Sequence, residues 1–181
     1  MEQESRAIEA LLVVRAQLGD QQAFMELVAR YQRRLLYYLR RFRGGPSVAE
    51  DTLQEVWLVA IRKLKSLRDP RRFRPWLYGI ARHKALQTLE RKPVTESLIE
   101  EPPGGEEIEE SSFLAVYAEN LHAALERLPL LHKEVLVLRF LESMSYEEMA
   151  QVLGCEFGTV KSRLHYAKRM LRQTLQEMAD E

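Results

Sequence analysis

The stretch SYEEMAQVLGCEFGTVKSRLHYAKRMLRQTL, residues 145–175, decides the fold. Ser145 and Glu148 have the spacing of a capping box, in which each residue's side chain satisfies the other's backbone N–H at a helix start. The short helix this opens, Tyr146 to Leu153, stops at Gly154, which takes a left-handed conformation without a Cβ penalty. A tight turn then leads into a long helix, Phe157 to Leu175. At about 100° per residue, Val160, Leu164, Ala167, Leu171 and Leu175 share one narrow arc, and Lys161, Ser162, His165, Tyr166, Arg169 and Arg172 lie across from it. Two helices joined by a glycine turn form a helix-turn-helix. The polar face of the second helix, with Thr159 at its start, offers donors, a phenol ring and cations to a major groove. A lone basic helix is more simply a solvated face. The turn before it, and the absence of any acid from Phe157 to Gln176, favour DNA.

Upstream, Pro129 breaks a helix that Ser112 can cap and that carries Leu114, Tyr117, Leu121, Ala124, Leu125 and Leu128. Leu131 to Leu141 reads as a second helix. Before these lies PVTESLIEEPPGGEEIEESS (93–112), whose Pro-Pro-Gly-Gly amid like charges predicts an acidic flexible linker. It divides the chain into modules of residues 1–92 and 113–181. In the first, Asp20 predicts the cap of an amphipathic helix with Phe24, Leu27, Val28, Tyr31, Leu35, Tyr38 and Phe42 on one face. Gly44, Gly45 and Pro46 end it, and Ser47 with Glu50 predicts a second capping box. The helix that follows is expected to bury Leu53, Val56, Trp57, Ala60, Ile61 and Leu64. Asp51, Gln54, Glu55, Leu58 and Arg62 fall on its other face. A leucine among charged positions marks a protein interface or a stray surface residue. SLRDPRRFRPW (66–76) reads as a basic loop, with Pro75 suited to a first helical turn and a helix from Trp76 to Arg91. No alternating strand pattern occurs, so the fold class is all-α: two small helical bundles.

The 181 residues carry 27 cations and 27 anions, but the charges are segregated. Arg62 to Lys92 has a net charge of +9, whereas Pro93 to Ser112 holds seven Glu and no cation. Such blocks, rather than the average, meet partners. In the basic block Phe73, Trp76 and Tyr78 alternate with cations, as suits single-stranded DNA, where bases stack on rings. Trp76, beside Leu77 and Ile80, reads as core. Phe73 is open to either role, and Arg71, Arg72 and Arg74 suit phosphates. One cysteine, Cys155, allows no internal disulfide and fits the cytoplasm. The polar N-terminus is no signal peptide, and no apolar run approaches the roughly 20 residues that span a bilayer. His83, His122, His132 and His165 lack metal-ligand spacing, so no metal or cofactor is expected. No nucleophile, base and oxyanion set can be assembled, which argues against an enzyme.

AEDTLQEVWLVAIRKL (49–64), FRPWLYGIARHKAL (73–86) and LPLLHKEVLVLRFLESMSYEEMAQVLGCEFGTVKSRLHYAKRMLR (128–172) together resemble the sigma-70-family factors of the extracytoplasmic-function (ECF, group IV) type. The resemblance covers nearly all of the chain outside the linker and tails. It implies a domain 2-like first module, a domain 4-like second and no domain 3. Asp51, Gln54, Glu55, Leu58 and Arg62 would then bind the β and β′ subunits of core RNA polymerase. Lys65, Arg71, Arg72, Phe73, Arg74, Arg82 and His83 would meet the −10 element as single-stranded DNA with a flipped base. Thr159, Lys161, Ser162, Arg163, His165, Tyr166 and Arg169 would meet the −35 duplex. An anti-sigma factor as regulatory partner is also implied. His83 stands where many relatives have Asn, and His165-Tyr166 replaces a smaller or more basic pair, which leaves the promoter sequence open. Two other readings compete with this one. A helix-turn-helix regulator acting without polymerase has no use for the Leu58 face or the basic-aromatic block. A sigma-mimicking adaptor has no use for a five-cation last helix.

Overall fold

The computed structural model describes residues 2–42, 45–91 and 112–180. Among them the regular elements are helical, as the sequence predicts: α1 (Glu2–Gln17), α2 (Gln21–Leu39), α3 (Gly45–Lys63), α4 (Phe73–Arg91), α5 (Ser112–Arg127), α6 (Leu130–Leu136), α7 (Tyr146–Leu153) and α8 (Phe157–Asp180). Two single 3-10 turns, Leu64–Ser66 and Pro70–Arg72, lie between α3 and α4, and a π-helical turn, Val137–Leu141, follows α6. The chain divides into two compact units, one built on α1–α4 and the other on α5–α8, with Ala150–Gly154 at the end of α7 grouping with the first. The expected linker lies outside the described residues, apart from Ser112, where α5 begins.

The first unit begins with a helix that the hydrophobic pattern did not announce. In α1, Leu12 and Val13 are buried while Ile8, Leu11 and Val14 are exposed, so apolar residues stand on both faces and blur the periodicity. Gly19, with φ of 99°, ends it in a Schellman motif: Asp20 N–H donates to Arg15 C=O at 3.1 Å and Gly19 N–H to Ala16 C=O at 3.0 Å. Asp20 then caps α2, its carboxylate accepting from the Ala23 N–H at 3.0 Å. That bond and the one from Arg15 hold its carboxyl below the usual carboxylate range. Gln17 fastens α1 to the rest of the unit by donating to Leu64 C=O at 3.0 Å and Leu67 C=O at 2.8 Å.

Leu27, Tyr31, Leu35 and Tyr38 of α2 form the centre of the core, facing Val56 and Ala60 of α3 and Phe73, Leu77, Tyr78 and Ala81 of α4. Rings meet edge to face, the favourable aromatic geometry: Tyr31 with Phe73 at 5.7 Å and Tyr38 with Tyr78 at 5.2 Å. The Tyr31 hydroxyl donates to the Glu9 carboxylate, and burial, with that anion beside it, pushes its pKa far above the usual phenol range.

Several local expectations are corrected. Helix α3 already starts at Gly45, so Ser47 sits inside its first turn and is no N-cap. Ile61 is exposed and Trp57 half-buried, whereas Leu53, Val56, Ala60 and Leu64 are buried as expected. The basic loop is shorter, because α4 begins at Phe73 rather than Trp76.

In the second unit α8 packs on α5 and α6, with Val160, Leu164 and Ala167 buried opposite Ala124, Leu125, Leu128, Val135 and Leu138. The side chains of Leu114 and Tyr117 lie outside the described residues, and Leu121 is exposed. The helix expected over Leu131–Leu141 keeps α-helical bonding only to Leu136 and then widens to the π turn, where Glu142 N–H donates to Val137 C=O at 3.1 Å. Ser143 follows in the left-handed region at φ of 51°, and Arg139 reaches Met144 C=O at 2.8 Å across it.

Because Phe73 is wholly buried between Tyr31 and Trp76, Phe73→Ala should cost about 3–5 kcal/mol, the usual range for a core aromatic truncated to Ala. Hydrogen exchange of the α2 and α4 amides in the full chain measures it. Unchanged protection would mean that the ring contributes nothing to the core.

Candidate nucleic-acid interface

Three surfaces carry the residues singled out by the sequence. On α3, Asp51, Gln54, Glu55, Leu58 and Arg62 are all exposed along its outer face. Leu58 is 55% exposed, and Ile61, one turn away, is also 55% exposed. Ile61 was missed because an isoleucine at helical spacing reads as core; its position three residues after Leu58 was the available signal. The Lys84 ammonium of α4 pairs with Glu55 at 3.0 Å, which links the charged rim of this face to the next helix. The Arg62 guanidinium donates to Leu58 C=O at 2.9 Å and so lies along α3.

The second surface follows the two 3-10 turns into α4. Lys65, Arg71 and Arg72 are exposed, Arg74 and Arg82 half-buried, and His83 exposed. Asp69 organises the second turn: its carboxylate accepts from the Arg71 N–H and the Arg71 Nε, both at 3.1 Å. The Arg71 side chain, then its backbone N–H, holds the Asp69 carboxyl below the usual range. Trp76, Ile80 and His83 lie at three- and four-residue spacings on one side of α4, with Trp76 and Ile80 half-buried and His83 open. Phe73 does not belong here. With no accessible surface it can stack no base, and its sequence position between two arginines reflects the first turn of α4.

The third surface is the helix-turn-helix. The capping box forms as expected: Ser145 N–H donates to a Glu148 carboxylate oxygen at 2.8 Å, and Glu148 N–H to Ser145 Oγ at 3.2 Å. Gly154 adopts φ of 61°. A stack of three side chains clamps the turn, with the Arg139 guanidinium 5.3 Å from the Tyr146 ring centre and that ring edge-on to Phe157 at 5.5 Å. Along α8, Lys161, Ser162, His165, Tyr166 and Arg169 are exposed and Thr159 is half-buried. Arg163 is half-buried, and its guanidinium turns back to Cys155 Sγ at 3.8 Å, toward the turn. His165 and Arg169 both contact the Tyr166 ring, at 5.7 and 5.3 Å. Lys168 and Arg172 extend the exposed cationic face towards the C-terminus.

These surfaces can grip a protein through an apolar spot in a charged rim and DNA through cations and rings. Among the described residues no cluster of His, Cys, Asp or Glu could hold a metal ion, and no helix is long and apolar enough to cross a membrane.

Residues 27–93 match the family Sigma-70 region 2, and residues 118–171 match Sigma-70, region 4. The chain is 32% identical over 180 residues to the ECF RNA polymerase sigma-E factor of Haemophilus influenzae, covering 92% of this chain and 95% of that protein. Its structure is similar to CnrH in a complex with the cytosolic domain of CnrY, with a TM-score of 0.70 and 25% identity over 94% of this chain and 98% of that one. It is also similar in fold to the sigma factor RpoE of Bartonella quintana, solved with the anti-sigma factor NepR, with a TM-score of 0.69 and 22% identity over 84% and 96%.

The electrostatics of the second surface give a titration test. Asp69 has a depressed folded pKa, so its interaction with Arg71 favours the folded turn above the unfolded carboxylate pKa and is lost as pH falls through the lower folded value. Arg71→Ala should return the Asp69 carboxyl towards its ordinary range in a side-chain NMR titration. An unmoved midpoint would show that Arg71 is not the cause.

Proposed function

The chain belongs to the sigma-70 family as a factor of the ECF type, and from that premise we propose how its surfaces divide the work. As such a factor it binds core RNA polymerase, directs it to particular promoters and promotes opening of the duplex. It acts in the cytoplasm as a dissociable specificity subunit, not as an enzyme. Residues 1–92 are the domain 2-like module, 113–181 the domain 4-like module and 93–112 the tether. The observation that carries the division is the outer face of α3, which keeps Leu58 and Ile61 at the surface inside a charged rim. A protein that only bound DNA would gain nothing from that exposure. Asp51, Gln54, Glu55, Leu58 and Arg62, with Ile61 added, are the polymerase contact.

The −10 element meets Lys65, Arg71, Arg72, Arg74, Arg82 and His83. Extruding a base costs a few kcal/mol, which backbone contacts and the captured base must offset. With Phe73 buried, Trp76 and His83 on the outer side of α4 are the rings left to face it. The −35 duplex meets Thr159, Lys161, Ser162, His165, Tyr166 and Arg169, the N-terminal residues of α8 nearest the base edges. Arg163 has a supporting role, holding the turn through Cys155. Control by an anti-sigma factor is supported by the Bartonella quintana protein of similar fold, which was solved with one.

Run-off transcription with core polymerase on a promoter library tests the assignment. The protein should yield promoter-specific transcripts, and Leu58→Arg with Asp51→Arg should abolish core binding while circular dichroism stays unchanged. Specific duplex binding with no transcript from any promoter would instead favour a helix-turn-helix regulator that works without polymerase.

Lys161→Ala separates two modes on α8. If Lys161 meets a phosphate, the slope of log affinity against log salt should flatten by about one. If it reads a base, about 1–3 kcal/mol of discrimination should vanish at one position. Neither change, in a duplex-binding assay of the full chain, would remove Lys161 from the interface.

A further inference from the structure

None of the three surfaces uses the outer side of α1, and that side is unusual. Ala7, Leu11, Val14 and Leu18 recur at alternating spacings of four and three, the apolar seam of a coiled coil, and the helical bonding extends to Leu18, whose N–H donates to Val14 C=O at 3.1 Å. The seam points away from the core: Leu12 and Val13 are buried on the other side of the helix, while Leu11 is 59%, Val14 40% and Leu18 83% exposed. Ile8 beside them is 52% exposed. An apolar stripe on the solvent side of a helix is a face without a partner in the fold, and a contiguous exposed apolar patch marks an interaction site.

The seam is one wall of a shallow groove formed by Ala10, Leu11 and Val14, with Arg68, Asp69, Pro70 and Arg71 opposite. Arg71 is tied to Asp69 at 3.1 Å, and Arg15 at the end of the seam is tied to Asp20 at 2.6 Å. Arg68 is exposed and makes no ion pair among the described residues. Nucleic acid fits this wall poorly, because the apolar seam offers no donors to phosphates or base edges. An apolar ridge of another protein with a carboxylate at its edge fits both the seam and Arg68.

We propose that α1 and the 68–71 turn form a docking groove for an amphipathic helix of a partner protein, with aliphatic residues against Leu11, Val14 and Leu18 and an acidic flank against Arg68. The groove shares Arg71 with the surface assigned to the −10 element and leaves the outer faces of α3 and α8 clear, so the partner could engage the factor without competing for either helix.

The probe is a synthetic fluorescein-labelled helix with leucine at its a and d positions and glutamate at e and g, compared with the same peptide carrying lysine for glutamate. Fluorescence anisotropy on the full chain should show the acidic peptide binding at least tenfold more tightly than the basic one. Leu11→Glu should weaken it at least tenfold with unchanged circular dichroism and unchanged binding to core polymerase. Should that variant unfold, Leu18→Glu at the end of the seam replaces it. Equal binding of the two peptides, or binding indifferent to both substitutions, would overturn the proposal. So would a dimer in sedimentation that Leu11→Glu dissolves, which would give the seam to a second copy of the chain. Binding that appears only after Glu96, Glu100, Glu101, Glu106, Glu107, Glu109 and Glu110 are changed to Ser would overturn it in favour of the chain's own acidic segment. Loss of transcription by the unmodified protein would sink the sigma reading alone and leave the peptide result standing.

Discussion

The packing of one ring underlies the basic side of the first unit. Phe73 is the first residue of α4 and has no accessible surface, held by Tyr31 of α2 and by Trp76 one turn on. Its neighbours in sequence are Arg71, Arg72 and Arg74, so the apolar anchor fixes where the backbone of these cations runs. A cation on a long side chain retains much rotamer freedom, and ordering it on DNA is costly. An anchored backbone removes part of that cost before the DNA arrives. Asp69 adds a second constraint by fixing the turn just before Phe73. The basic surface is thus shaped by a hydrophobic contact that no phosphate touches.

Charge is organised by the same economy. The formal net charge is zero, yet no acid occurs from Phe157 to Gln176, and the acids of α8, Glu177 and Asp180, come only in its last turn. Several ion pairs are internal and local, such as Lys133 with Glu126 at 2.8 Å and Lys84 with Glu55 at 3.0 Å. The more exposed pair, Lys84 with Glu55, adds little stability, whereas the nearly buried Lys133 would carry an uncompensated charge without Glu126. Lys161, Lys168 and Arg172 make no ion pair among the described residues, and they stand where α8 is most open. A neutral protein can therefore present a strongly positive local field, which falls off over about 8–10 Å at physiological salt.

The legible parts of the sequence were those where local chemistry and long-range packing agree. The capping box at Ser145 and Glu148, the left-handed Gly154 and the apolar arc of α8 each specify one conformation, and α7 begins and ends where they predict. The Ser47–Glu50 spacing is the same kind of signal and fails, because α3 already begins at Gly45, a glycine in the left-handed region at φ of 80°. Phe73 was ambiguous, since a ring between arginines satisfies both a core and a stacking pattern, and only its distance from Tyr31 decides. Helix α1 left no clean pattern because it is apolar on two sides. The π turn is invisible as well, since nothing in the residue types of Val137–Leu141 distinguishes its wider bonding from that of an α-helix.

The two units also differ in what their geometry can do to DNA. The exposed face of α8 begins at its N-terminus, and the buried residues behind it are the small and aliphatic Val160, Leu164 and Ala167. That arrangement holds a rigid rod against a groove and suits intact duplex, whose shape it matches. The outer side of α4 instead offers half-buried Trp76 and open His83 beside flanking cations, a surface to which an unstacked base can add contacts that a paired base cannot. Opening requires binding the melted form better than the duplex, since equal affinity for both shifts nothing. A rigid reader of duplex opposes melting within its own site, so recognition and opening are best kept on separate units. Tethering recovers the affinity lost by the split, because the second contact becomes intramolecular once the first has formed.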